Sequence, residues 1–254
     1  MSDPSTATRR RVLAGTGATV APAGCAGLTG DDETETPTPA EESTDTPAPT
    51  AQLRVAHTSP SAPDVDVHVD GTAVLEDIPF GAISGYLEVP VGEREVEITP
   101  AGDTVVLSGG VPVETDTEYT VAAVGEIGDD VDEEFEPLVL EDDNSDPGDG
   151  SARVQVVHAS SDAPAVDVTV AASGDAIVDG VAYGQAATAE VPAGEYTRQV
   201  RGDTAGNDGD VVAEFDVSLE GGTVYTAFAA GYLTPDDEPS DAAFDLLVTR
   251  DAEA

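Results

Sequence analysis

The chain has 254 residues, of which 52 are Asp or Glu and only 9 are basic, so its net charge is −43. An excess of carboxylates of this size excludes recognition of nucleic acid, or of an anionic membrane surface, through a basic patch. Hydrophobic residues still make up 39% of the chain and alternate along valine-rich segments, which favours folded domains over intrinsic disorder.

The charge also indicates the solvent in which the protein works. All nine basic residues are arginine, and none is lysine. Salt screens the repulsion among carboxylates, because the Debye length falls from about 10 Å at 0.1 M to about 3 Å at 1 M. A lysine-free acidic surface therefore suits molar salt. It resembles the surfaces of proteins from halophilic archaea, which we predict as the source.

Residues 1–24 have the pattern of an export signal. Arg9 and Arg10 precede a weakly apolar run over residues 12–24, which is shorter than the roughly 20 apolar residues of a membrane-spanning helix. A charged start, a short apolar run and small residues are typical of a signal peptide. The arginine pair and the low hydrophobicity of the run resemble a twin-arginine signal, so we predict twin-arginine export.

The only cysteine, Cys25, follows this run directly. Ala23-Gly24-Cys25 resembles a lipobox, in which the cysteine is lipidated and anchors the protein to the outer face of the cytoplasmic membrane. Ala21-Pro22-Ala23 also fits an A-x-A cleavage site, which would release a secreted protein instead. Residues 25–51 are rich in Asp, Glu, Thr and Pro, and this composition predicts a disordered acidic tether behind the anchor.

The rest of the chain contains one pattern twice. Residues 55–67 and 156–168 share the motif Val-x-His-x-Ser-x-x-Ala-Pro-x-Val-Asp-Val. Three later blocks match in the same order, namely Phe80-Gly81 with Tyr183-Gly184, Glu88-Val89-Pro90 with Glu190-Val191-Pro192, and Tyr119-Thr120 with Tyr225-Thr226. A spacing of about one hundred residues is kept throughout, which indicates a duplicated domain.

In each copy apolar and polar residues alternate along short segments, as they do in all-β domains. Residues 64–69 place valines on one face and polar side chains on the other, and Asp70-Gly71 after them is a typical two-residue hairpin turn. Further short strands are predicted over residues 72–75, 88–90, 94–99, 105–113, 119–125 and 138–140.

These strands predict an all-β protein with two tandem β-sandwich domains, immunoglobulin-like or transthyretin-like, after the signal and the tether. The domains are expected over residues 52–141 and 152–251, joined by an acidic linker over residues 142–151. With only this linker between them, the two sandwiches are expected to unfold separately.

The motif and the later blocks resemble the family known as domain of unknown function 4397 (DUF4397), over nearly all of residues 52–250. Members of that family occur, often in tandem, in exported proteins of bacteria and halophilic archaea. The resemblance implies a β-sandwich fold and a location in the cell envelope, and it brings no activity with it.

The motif contains the residue types of a hydrolase triad. A nucleophilic serine needs a base, an oxyanion hole and a pocket, and the chain has no Gly-x-Ser-x-Gly elbow. A strand-end histidine that binds a loop carbonyl or the nearby aspartate explains the same residues. We therefore predict no catalytic residue and a structural motif, with ligand contact as the alternative. Its members are His57, Ser59, Pro63 and Asp66 in the first copy and His158, Ser160, Pro164 and Asp167 in the second.

No metal site and no cofactor are predicted. His57 and His68 in the first copy suggest a zinc pair, but Thr169 replaces the second histidine in the other copy, and structural zinc usually takes four ligands. The acidic segments 142–146 and 203–210 contain calcium-type ligands. Pro147 stands where an EF-hand requires glycine, so solvated loops are the simpler interpretation.

Together these features predict a non-enzymatic, exported cell-surface lipoprotein that serves as an adhesion, spacer or binding module of the envelope. Its expected partners are the membrane, through the lipid anchor, and an envelope protein or glycan, with no nucleic acid. The alternative is a solute- or glycan-binding protein that serves a transporter or sensor. Aromatic side chains exposed on one face would favour that alternative, whereas packing between sheets would favour the spacer. The residues concerned are Phe80, Tyr86, Tyr183 and Tyr196.

Overall fold

The computed structural model describes residues 48–100, 107–128, 131 and 133–253. The predicted export signal with Arg9 and Arg10, the predicted anchor Cys25 and the tether up to residue 47 lie outside the described residues. The described part is almost entirely β, with one short 3-10 helix at Pro235–Asp237, so the all-β prediction is confirmed. Within this part no helix is long and apolar enough to cross a bilayer.

The first eight strands form two four-stranded sheets, with the orders β4-β1-β7-β8 and β3-β2-β5-β6. Strands β1 and β7 run parallel, and the other neighbours are antiparallel. The strands are β1 Thr50–His57, β2 Val65–Val69, β3 Thr72–Ile78, β4 Leu87–Pro90, β5 Gly92–Pro100, β6 Leu107–Val113, β7 Glu118–Val124 and β8 Glu136–Asp142.

The next eight strands repeat this arrangement, with the sheet orders β12-β9-β15-β16 and β11-β10-β13-β14. Strand β9 pairs with β15 in parallel, as β1 pairs with β7. The strands are β9 Ser151–His158, β10 Val166–Val170, β11 Ala176–Val181, β12 Ala186–Pro192, β13 Gly194–Gly202, β14 Val211–Leu219, β15 Thr223–Ala230 and β16 Asp245–Glu253. Two copies of one four-plus-four arrangement confirm the predicted tandem β-sandwiches.

The predicted hairpin after β2 shows how local sequence sets the strand register. Asp70 and Gly71 adopt positive φ angles of 50° and 74°, as a tight two-residue turn requires of both central positions. The turn pairs Val69 with Thr72. Val65, Val67 and Val69 therefore all lie on the buried face of β2, where each fully buried valine contributes about 1.5–3 kcal/mol to folding.

The two sandwiches are joined by a buried apolar cluster, which we call the junction. It lies between the outer faces of sheets β4-β1-β7-β8 and β12-β9-β15-β16. The first sandwich contributes Ala56, Phe80, Ile83, Ala122, Val124, Leu138 and Leu140, and the second contributes Val157, Ala159, Tyr183, Phe228, Ala230 and Leu247. The premise that only a linker connects the two copies is therefore wrong, since they share a core.

Candidate functional site

The first motif histidine closes the loop between β1 and β2. His57 is fully buried at the end of β1, and its Nε2 lies 3.0 Å from the carbonyl oxygen of Pro63. Because a carbonyl only accepts, Nε2 carries the proton and donates. Burial lowers the pKa of His57, although the Pro63 carbonyl and the charge of Asp64 partly oppose this. No described residue hydrogen-bonds Nδ1, so protonation there would create a buried cation without a partner.

The second motif histidine has the same geometry. His158 is fully buried, and its Nε2 donates to the carbonyl oxygen of Pro164 at 2.8 Å. Its Nδ1 accepts from the backbone N–H of Ser160 at 3.3 Å. Burial again lowers the pKa, against the Pro164 carbonyl and the charge of Asp162. Both histidines are thus held in the neutral Nε2–H tautomer.

The motif serines point at backbone rather than at the histidine rings. Ser59 Oγ donates to the carbonyl oxygen of Gly125, and Ser160 Oγ to that of Gly231, both at 2.6 Å. These glycines have φ angles of 81° and 86°. A Cβ atom at either one would lie within 2.4 Å of a carbonyl oxygen from the following segment, so the position requires glycine. The serine anchors a sharp bend where β7 or β15 ends.

The motif aspartates hold the bulged end of the neighbouring strand. Asp66 Oδ1 accepts from the backbone N–H of Asp77 at 2.8 Å, and Asp167 Oδ1 accepts from that of Gly180 at 2.8 Å. Both donor residues have positive φ, 54° and 62°, at register shifts of the β2–β3 and β10–β11 pairs. In each copy the aspartate satisfies an N–H group that the bulge removes from the ladder.

Acidic side chains converge beside the second motif aspartate. Carboxylate oxygens of Asp167, Asp179 and Asp203 lie within 4.8 Å of one another, a spacing that a hard cation could bridge. With its amide nitrogen turned toward them, Asn207 donates to Asp179 at 2.8 Å and to Asp167 at 3.2 Å. Asp167 also accepts from the backbone N–H of Thr204 at 3.2 Å. The buried carboxylate thus already has partners within the protein.

A buried charge cluster that sequence analysis missed lies in the junction. Arg54 is 1% exposed; its Nε donates to Thr120 Oγ1 at 2.7 Å and its Nη2 to Thr226 Oγ1 at 3.0 Å. Nη1 forms an ion pair with Asp251, and Nη2 lies 3.6 Å from Asp142 Oδ2. Each threonine hydroxyl in turn donates to one of these carboxylates at 2.6 Å. One guanidinium from the first copy therefore links matching Thr-Asp pairs of both copies.

The environment of this cluster shifts its ionisation. Burial alone would lower the pKa of Arg54, but the hydrogen bond and charge of Asp251 outweigh it and raise that pKa. Burial raises the pKa of Asp142, although Thr120 and Arg54 oppose the shift. Gln155 occupies the place of Arg54 in the second copy. A second arginine at position 155 would place two like charges side by side at the centre of the charge cluster. The change from arginine to glutamine between the two copies is therefore the feature of the sequence that could have revealed the cluster.

The four aromatic residues named above are half-buried, and they lie in different parts of the protein rather than together on one face. Phe80 and Tyr183 belong to the junction, where their rings meet His57 and His158 edge-on with centroids 6.3 Å and 6.2 Å apart. Tyr86 lies 4.8 Å from the Arg54 guanidinium and donates to Asp142 at 2.7 Å. Tyr196, in the second sandwich, stacks 3.8 Å from Arg198.

These features define a duplicated β-sandwich protein in which the shared motif of each copy holds its loops in place and the two copies join through one face. Residues 51–169 match the family model described as Domain of unknown function (DUF4397). The match covers just under half of the chain, and this part is similar to the family that the sequence motif predicts.

Other comparisons add little. No curated protein matches the chain. Among solved structures, the Bacillus anthracis TIE protein is similar over 71% of this chain, with 10% identity and a TM-score of 0.23. The alignment covers 34% of that protein, so this chain spans about a third of its length. A likeness of this size carries no information about function.

Proposed function

We propose that this chain is an exported, non-enzymatic surface protein whose paired sandwiches form one rigid head, held to the membrane by a lipid on Cys25. As a spacer or adhesion module of the envelope, such a head presents its outer faces to an envelope protein or glycan. The acidic tether would lift it from the membrane, since about twenty residues in a polyproline-like conformation reach roughly 60 Å.

The junction is the observation that carries this proposal. Flexible tandem domains are usual where only a linker joins them, but here both copies bury apolar side chains against each other. Polar contacts add to the cluster, as Ser161 Oγ donates to Glu126 at 2.7 Å and Ser240 Oγ donates to the Pro60 carbonyl at 2.8 Å. A head without internal hinge motion suits a spacer or an adhesion module that must hold a surface at a fixed distance.

The side chains of the motif support the non-enzymatic part of the proposal. Both serine hydroxyls donate to backbone carbonyls, and both histidine Nε2 atoms donate to proline carbonyls. A hydrolytic serine needs its hydroxyl directed at the base. The partial burial of Phe80 and Tyr183 in the junction likewise reduces the ring surface on which a sugar could stack.

The test is cell fractionation of the chain and of Cys25→Ser, with export followed separately. Cys25→Ser should move the protein from the membrane fraction to the medium, because only the anchor is lost. Replacing Arg9 and Arg10 with Lys is the matched control, and it should retain the protein inside the cell with its signal uncleaved. Unchanged membrane association of Cys25→Ser would refute the anchor, and normal export of the lysine variant would refute the twin-arginine route.

A further inference from the structure

The interior of the second sandwich contains an apolar cavity of about 240 Å³. Residues from both of its sheets line the space, and ten of the fourteen are aliphatic, among them Val156, Ile177, Val217, Ala227 and Val248. An engineered apolar cavity of about 150 Å³ already binds benzene or xenon. The cavity of the second sandwich is therefore large enough for a small organic ligand.

Arg198 is the basic side chain in the wall of this cavity. Asp216 also borders the cavity, but it is exposed and accepts a hydrogen bond from Thr197 Oγ1 at 2.7 Å. Arg198 on β13 is 4% exposed, and no described residue provides a hydrogen-bond acceptor for its Nη1 or Nη2. The ring of Tyr196 covers one side of the guanidinium at 3.8 Å. Burial lowers the pKa of Arg198, and only the charge of Tyr196 opposes this. A buried guanidinium with free donors is costly unless an anion pairs with it.

The fold itself does not require this arginine. Val170 pairs with Arg198 as Val69 pairs with Val96, so Val96 holds the equivalent place in the first copy. Val96 is 3% exposed and belongs to the ordinary apolar core of that sandwich. The same strand position is thus filled by valine in one copy and by an unpaired cation in the other.

We propose that this cavity binds a small carboxylate with an apolar body, its head paired with Arg198 and its tail among the aliphatic side chains. A guanidinium presents parallel N–H donors that match a carboxylate in bidentate geometry. The aliphatic side chains of the lining offer an apolar tail a surface that competes poorly for water. Binding of this kind needs neither export nor the lipid anchor.

The edge strands β14 and β16 form the side by which a ligand would enter. Both strands contribute to the lining, and Val248 on β16 is 47% exposed although it borders the cavity. In the first sandwich the corresponding strands β6 and β8 approach each other near Gly109 and Pro137, whereas β14 and β16 stay further apart. The opening is therefore specific to the second copy, as the arginine is.

The probe is octanoate, titrated by calorimetry into the full chain at about 2 M potassium chloride, where repulsion is screened. Octanol and octylammonium share the tail and lack the negative charge. We expect saturable binding of one octanoate, about tenfold or more weaker binding of octanol because a charge-assisted hydrogen bond is lost, and no binding of octylammonium.

Two variants separate the head from the tail. Arg198→Met keeps most of the volume and removes the charge, so octanoate should bind no better than octanol while the melting temperature stays equal or rises. Ala227→Leu keeps the arginine and fills the cavity, and it should abolish binding of both probes. The matched control is Arg94→Met, which removes a surface cation of the first sandwich paired with Asp70 and should leave octanoate binding unchanged.

Several results would overturn the proposal. Equal affinities of the wild-type chain for octanoate and octanol would show filling of an apolar space without a role for Arg198. Full octanoate binding in Arg198→Met or in Ala227→Leu would place the ligand elsewhere. Absence of saturable octanoate binding would refute the carboxylate site itself, and would leave the anchored spacer proposal untouched.

Discussion

At the scale of single residues, the motif acts through hydrogen bonds and burial that favour the neutral form of each histidine. Neutral His57 and His158 donate through Nε2 to a proline carbonyl. Protonation would add a charge at Nδ1, where His57 has no described partner and His158 accepts a backbone N–H. The loops after β1 and β9 are therefore most stable when both imidazole rings are uncharged.

This arrangement predicts a loss of stability in mild acid. Burial places the folded-state pKa of both histidines below the ordinary value of 6.5, so below pH 6.5 the unfolded chain binds protons that the folded chain does not. Stability from these groups is complete above pH 6.5 and decreases as the pH falls toward the folded pKa. Melting temperatures of the wild type, measured in steps of pH at constant salt, should fall across this window.

A double variant, His57→Gln with His158→Gln, serves as the comparison. Glutamine retains an N–H donor without titrating, so the difference in melting temperature between wild type and variant should shrink as the pH falls. Carboxylates titrate in both proteins, so their contributions to the melting temperature cancel when the two proteins are compared at the same pH. A difference that does not change between pH 7.5 and 5.5, or that grows, would show that the histidines are not held neutral in the folded state.

At the scale of elements, strands β1, β7 and β15 are buried on both faces along most of their length, and β9 is buried so at its carboxyl end. One face of each packs inside its own sandwich, and the other packs in the junction; β15 is buried along all of Thr223–Ala230. The faces that meet are equivalent surfaces of the two copies, as in an isologous dimer. Small residues such as Ala56 and Ala122 allow the two sheets to approach.

The charge cluster should make the junction sensitive to one substitution. Arg54→Ala leaves Asp142 and Asp251 buried without their cation, and breaking a buried pair in this way costs about 3–5 kcal/mol. The matched control is Arg94→Ala, because its pair with Asp70 has side chains 22% and 43% exposed and such pairs contribute about 0–1 kcal/mol. Denaturant unfolding at molar salt measures both. Equal losses in the two variants would mean that the cluster does not stabilise the junction.

The sequence predicted the strands well because their signals are local. The hairpin at Asp70-Gly71 and the alternation of β2 depend only on neighbouring residues, and the predicted strand 94–99 lies within β5, Gly92–Pro100. Observed β3 extends to Ile78, beyond the predicted residue 75, because Asp66 supports a bulge near its end. That bulge depends on a contact eleven positions away, which no short pattern contains.

The junction and the cavity could not be derived in the same way. Arg54 occupies a position that strand alternation assigns to solvent, since its neighbours Leu53 and Val55 face the core. A signal was nevertheless present: the uninterrupted small and apolar runs of residues 120–124 and 226–230 are typical of strands buried on both faces. Arg198 lies between Tyr196 and Val200, which pack in the core of the second sandwich, and only its comparison with Val96 identifies it as exceptional.

At the scale of the whole molecule, a net charge of −43 surrounds cores made of small aliphatic residues. The chain contains no tryptophan and one cysteine, so neither a buried indole ring nor an internal disulfide adds to the stability of the head. A small domain is stable by only about 5–15 kcal/mol. Repulsion summed over many carboxylates is of comparable importance, and it reaches further as salt is withdrawn.

The whole-molecule prediction is therefore unfolding on removal of salt, in a single transition. Dialysis from about 2 M to about 0.1 M potassium chloride should lower the melting temperature and finally unfold the protein, and return of salt should restore it. Because the sandwiches share the junction core, loss of one exposes the apolar face of the other. Circular dichroism and calorimetry of the full chain should then show one transition at every salt concentration, where independent sandwiches would give two.

Sucrose at low salt is the control, since it favours compact states without screening charge. If sucrose alone restored the fold, or if the melting temperature were the same at both salt concentrations, charge repulsion would not be the force that limits stability. Two resolved transitions in the wild type would mean that the junction is too weak to couple its halves, and the rigid head would lose its physical basis.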